Sequence, residues 1–250
     1  MAFEKWRNNL LPMVALTIVT PLGFASDLSE IFKSSGVVTL SVGPAWESAG
    51  NTQTFYLAPN TEQTFAANHA SHAFIYGEIF LGMQKLLLEK LKGQIGLAVA
   101  TTGNASLSGN IWDDADPQFN NYTYSYQITH THLSLKGKLL NERGSVVTPW
   151  VSGSLGVGFN QSHHFTNAPT ISEAVAMPNF ASNTTTAFVY TLGAGIERHL
   201  TQHWQAGIGY EFADWGKSQL GRAPGQSLNS GLSLSHLYTN GLLLNLTYSA

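Results

Sequence analysis

PWVSGSLGVGFN, residues 149–160, alternates along its length: Val151, Leu155, Val157 and Phe159 fall on one side, Trp150, Ser152, Ser154, Gly156, Gly158 and Asn160 on the other. A period of two belongs to a β-strand, whose successive side chains point to opposite faces. One face here is bulky and apolar; the other is small and mostly polar. A strand of a soluble sandwich could read this way once, so what matters is how often the pattern recurs.

It recurs on both sides of that stretch. In 37–47, Val38, Leu40, Val42, Pro44 and Trp46 oppose Thr39, Ser41, Gly43, Ala45 and Glu47. Residues 74–84 set Ile75, Ile79, Leu81 and Met83 against Tyr76, Glu78, Phe80 and Gln84. Residues 94–101 set Ile95, Leu97 and Val99 against Gln94, Gly96, Ala98 and Ala100. Further on, 188–197 and 204–212 carry Phe188, Tyr190, Leu192, Ile196, Trp204, Ala206, Ile208, Tyr210 and Phe212 opposite a Gly-rich face with Glu197 and Glu211. In 241–248, Leu242, Leu244, Leu246 and Tyr248 oppose Asn245 and Thr247. Only 122–138 breaks phase: Tyr122, Tyr124, Tyr126 and Ile128 agree with one another, but Leu133 and Leu135 sit on the other face. A bulge near His130–His132, or a tyrosine ladder that faces inward or stands above a membrane, would each account for it.

Eight such strands, each near the ~9–11 residues of a tilted membrane-crossing strand, predict an all-β, eight-stranded antiparallel up-and-down transmembrane barrel. Composition agrees. Charged residues make up 11% of the chain, under half of the ~25% usual in soluble domains, and no apolar run outside the N-terminus is long enough for a spanning helix. Connections alternate between long polar segments (48–72, 102–121, 160–184, 213–230) and short links (around 85–92, 139–146 and 198–203), as in barrels with long outer loops and short periplasmic turns. Lys5 and Arg7, an apolar run to Phe24 and the Gly23-Phe24-Ala25 end read as a signal peptide over 1–25, leaving 26–250 as the barrel domain. Without that segment the net charge is about −4, and no basic tract exists, which excludes nucleic acid as a partner.

The sequence resembles the small opacity/OmpA-like outer-membrane β-barrel proteins. The likeness lies in TLSVGPAW at 39–46, GEIFLGMQ at 77–84, GQIGLAVA at 93–100, PWVSGSLGVGFN, YTLGAGIE at 190–197, WQAGIGYEFADWG at 204–216 and LLLNLTY at 242–248. It implies a Gram-negative outer-membrane location, and the even strand number returns both termini to the periplasm. It also implies outer-membrane lipid, lipopolysaccharide and the barrel-insertion machinery as partners, with host surface molecules as further partners. Such barrels often end on an aromatic residue; here Tyr248 stands two residues short of the end.

Chemistry is sparse. His236 lies in a stretch similar to that of lipid A deacylase barrels, but Tyr238 takes the place of their nucleophilic serine, so no catalytic residue is expected. His130 and His132 share a face without an identifiable third ligand, and no metal or other cofactor is expected. The inward acids Glu78, Glu197 and Glu211, with Lys136, Lys138 and Arg198 as available cations, predict a polar network in the lumen. The loops offer Trp112, Asp113, Asp114, Asp116, Phe119, Phe165 and Phe180 as contact residues. The function expected is a structural or surface-interaction protein, an adhesin or host-factor binder. A small pore and a lipid A-modifying enzyme are the alternatives.

Overall fold

The computed structural model describes residues 34–48, 50–69, 71–142 and 146–250; the leader expected over 1–25 lies outside them. In chain order the strands are β1 Ser35–Glu47, β2 Gln53–Ala58, β3 Thr61–Ala67, β4 Ala73–Leu88, β5 Leu91–Thr102, β6 Ala105–Asp113, β7 Asn120–Asn141, β8 Thr148–Pro169, β9 Asn183–His199, β10 Trp204–Asp214, β11 Ser218–Gln219, β12 Ser233–Leu234 and β13 Tyr238–Ser249. Antiparallel pairing runs from β1 to β4, β5, β7, β8, β9, β10 and β13, and β13 closes the ring on β1. Eight staves make a closed up-and-down barrel, and each alternating stretch of the sequence lies in one of them. Closure removes free strand edges, which is what allows a sheet to stand in hydrocarbon. Val37 lies opposite Ser249, so the start of β1 and the end of β13 share one rim.

Around the lower part of the barrel the outward residues are apolar and open: Leu97 is 56% exposed, Leu155 60% and Leu244 62%. A continuous apolar belt of this kind suits lipid and not water. Aromatics edge it below, where Trp204 meets Tyr248 edge-on at 5.1 Å, and above, where Phe212 stacks on Tyr238 at 5.8 Å. Tyr248, though not the last residue, thus takes part in the lower girdle. Inside the belt, Trp150 lies flat where only glycine backbone fits: a Cβ on Gly195 would come within 2.6 Å of Trp150 Cζ2.

Above the belt the polarity turns inside out. Along β7 the outward residues change from Leu135 and Leu133 to Thr131, Thr129, Gln127, Ser125 and Thr123, while the buried ones change from Lys136 and Ser134 to Ile128, Tyr126, Tyr124 and Tyr122. The strand is unbroken. The tyrosine ladder faces inward, and the apparent phase break is a change of solvent around a continuous strand. A bulge does exist, but in β8, where Ser125↔Thr166 and Gln127↔His163 leave two residues opposite one and His164 takes a φ of 53°.

The long segments expected as loops are therefore largely wall. β6 prolongs β5 along β7, β3 prolongs β4 along β6, β2 adds a further strand on β3, and β8 reaches Pro169. Their Thr, Ser and Asn residues face water above the belt, which is why composition read them as loops. This cap section has its own apolar core, with Phe65, Ile111, Tyr124, Tyr126, Leu107 and Phe165 among its members. The segment after β10 folds down into the mouth, burying Trp215, Leu220, Leu232 and Leu237.

Candidate functional site

Two polar clusters lie on the barrel axis. In the belt section, Lys136 on β7 bridges Glu78 on β4 and Glu211 on β10, its Nζ 2.6 Å from Glu78 Oε1 and 2.9 Å from Glu211 Oε2. Tyr76 donates its hydroxyl to Glu78 Oε2 at 3.3 Å. Two residues along β7, Lys138 donates to Glu197 Oε2 at 2.5 Å and stands 4.7 Å over the Trp150 ring. All five charged side chains are buried. Uncompensated burial of any of them would cost several kcal/mol, so the pairing is what makes the lumen tolerable. The space left among them is about 30 Å³, room for a water molecule.

Arg198 does not join this network. It is exposed on the outer face, because it follows inward-facing Glu197 and a strand turns over at every residue. Tyr76 and Trp150, which complete the cluster, were legible only as inward aromatics.

At the junction with the cap, His130 Nδ1 pairs with Asn160 Oδ1 at 2.6 Å, and His130 Nε2 with His132 Nδ1 at 2.9 Å. Asn160 donates to the carbonyls of Trp215 and Lys217, each at 2.8 Å, and the Trp215 ring stacks on His130 at 4.4 Å. These contacts pin the inserted segment to the wall. Higher in the cap, burial pushes the Tyr124 phenol up to about 12.

The expected contact residues divide. Phe165 and Phe180 are buried, packed edge-on at 4.8 Å against each other and beside Phe65 and Tyr124. For Phe165 the cause is the β8 bulge: odd-numbered residues face outward below it, and the extra residue turns 165 inward. The β6–β7 tip remains at the surface. Asp113 is spent on structure, accepting from Gln63 at 3.1 Å and Asn121 at 2.8 Å, and Asp116 accepts from the Gln118 amide at 2.9 Å. Asp114 and Phe119 are exposed, and Trp112 is half-buried.

The histidine sites carry little machinery. His236 Nδ1 is 2.7 Å from Asp214 Oδ2, an oriented imidazole that the sequence reading missed. Nearby Ser233 donates instead to Gln53, and among the described residues no serine or threonine hydroxyl pairs with His236. His163 and His164 meet through their Nδ1 atoms at 2.5 Å because of the bulge. Burial, then the neighbouring His164, pulls the His163 imidazole below the usual histidine range. Among the described residues no three His, Asp or Glu side chains gather as metal ligands.

No family model and no curated protein matches the chain. Among solved structures it is similar to Neisserial surface protein A, at 10% identity and TM-score 0.47, over 87% of this chain and 99% of that one. It is similar to the outer membrane protease OmpT from Escherichia coli, at 7% identity and TM-score 0.48, over 86% and 97%. The outer membrane protein OprG from Pseudomonas aeruginosa follows at 12% and 0.43, over 87% and 97%. These neighbours are small outer-membrane β-barrels. The likenesses are distant, and the barrel assignment rests on the strand pairing itself.

Proposed function

We propose that the protein is an outer-membrane anchor that holds a folded cap above the lipid as a surface-interaction platform, with both ends of the barrel strand ring toward the periplasm. The observation that supports this reading is the inversion of polarity at the belt's upper edge: outside the belt the chain is built as water-facing sheet over its own apolar core. Sheet of that length is far more than hairpin closure requires, which takes about 2–5 residues. Conduction finds no support in a lumen filled by the Lys136 cluster below and by Trp215 and its neighbours above. Asp114 and Phe119, at the tip of the β6–β7 hairpin, are the proposed contact residues for molecules outside the cell. The test displays the wild type and an Asp114→Asn/Phe119→Ser variant on the same cells and compares adhesion to immobilised glycans and matrix glycoproteins. Adhesion that exceeds that of barrel-free cells and falls in the variant supports the platform; equal adhesion of all three cell types overturns it.

A further inference from the structure

Three separated segments of the cap line a concave chamber of about 260 Å³ that opens to the outside. Phe65, Phe165 and Phe180 line it together with Leu57, Met177 and Ala223. The walls are stitched independently of any contents. The Ser227 and Leu228 amides both reach the Leu57 carbonyl at 3.1 Å, and Asn229 donates to the Tyr56 carbonyl at 2.8 Å. Asn167 holds both the amide and the carbonyl of Met177, at 2.9 and 2.8 Å. Sites of this kind, concave, apolar and built before the ligand arrives, are the usual form of small-molecule pockets.

Its chemistry narrows the occupant. Among the described residues no charged side chain lines the chamber. Asn167 is engaged with Met177, and Gln226 with the Ala223 amide and the Leu228 and Ser230 carbonyls, so these polar groups are turned to the wall. Behind the Gln63 corner stands the Asp113 carboxylate, 3.1 Å from the Gln63 amide nitrogen, and it would repel an anion. Gln63 Oε1, buried without a hydrogen-bond partner, is a further acceptor at this corner, so an anion entering here would lose its hydration against acceptors alone. An apolar cavity of roughly 150 Å³ accepts benzene. The tilted Phe65, Phe165 and Phe180 rings, 4.8 to 5.4 Å apart, present the edges and faces that a further ring packs against.

We propose that this chamber binds a small, uncharged hydrophobic molecule of about one aromatic ring with a short alkyl arm, captured from the water above the membrane. The chain has four methionines, of which Met177 lines the chamber and Met83 faces out from the belt, 52% exposed. That pair gives the experiment its control. The full chain, labelled with methyl-¹³C methionine and folded into lipid nanodiscs, is titrated with n-butylbenzene, and the Met177 signal is assigned with Met177→Leu. The expected result is a saturable Met177 shift, while Met83 follows the linear partition of ligand into lipid. Ala223→Trp, which fills the chamber, removes the saturable response and keeps the Met83 signal; Leu57→Trp repeats the test from another wall. The anion 4-butylbenzoate binds about tenfold or more weakly. A Met177 shift that merely parallels Met83, an undiminished response in both folded tryptophan variants, or equal affinity for the benzoate overturns the proposal. The outcome is independent of whether Asp114 and Phe119 mediate adhesion.

Discussion

Lys136 brings one positive charge to two carboxylates, and none of the three is exposed to water. Such a cluster is fragile to partial loss. Lys136→Met leaves Glu78 and Glu211 facing each other, and we expect it to lower stability by about 3–5 kcal/mol, read from urea unfolding in lipid vesicles. Replacing all three together with Met and Leu should cost far less, or stabilise, since no unpaired charge then remains. If the single variant unfolds like the wild type, the cluster does not organise the lumen. On the outer face, Leu97→Arg should cost about 2–4 kcal/mol and Thr131→Arg about 0–1, because the second residue stands above the apolar belt. Equal costs would mean that the belt's upper edge is drawn in the wrong place.

β7 is the element on which both sections depend, since it pairs with β5 and β6 on one side and with β8 along most of its length on the other. Tyr124 is buried in its upper half, so Tyr124→Ala should remove about 3–5 kcal/mol of packing from the cap. The damage should stay local: limited proteolysis should cut within the cap while the belt section still migrates as a folded barrel on unheated gels. If the variant loses that migration, the two sections do not fold as separable units. The staves were legible in the sequence because inside a bilayer apolar-out, small-in alternation is the signal itself. The cap was not, because there the apolar residues are the inward ones and a rule tuned to lipid reads Thr123, Ser125 and Thr129 as loop. Phe165 falls among the expected loop residues because 160–184 reads as polar connection; prolonging the 149–160 phase would still turn it outward, since the bulge at His164 has no glycine to announce it. Arg198 is a different case: its outward position followed from inward Glu197 and needed no structure at all. The closeness of Asp214 to His236, or of Leu57 to Ala223, depends on how distant segments return over the mouth, and strand periodicity carries no information about that.

Across the whole molecule, the line where the two faces exchange polarity acts as a depth gauge. On one side of it the wall needs hydrocarbon, and on the other it needs water, with Leu133 and Thr131 as adjacent outward residues of the same strand. The barrel is therefore fixed along the membrane normal and has little freedom to slide. A thicker bilayer must either thin around it or draw the threonine and serine rows into the acyl region, and each ångström of mismatch carries a cost of a fraction of a kcal/mol. Urea midpoints measured in vesicles of increasing acyl-chain length should fall once the hydrocarbon outgrows the belt, and Thr131→Leu with Thr129→Leu should move that limit toward longer chains. A protein built this way measures the thickness of the membrane it sits in, and the same exchange of residues that gives the cap its apolar core decides which bilayers will hold it.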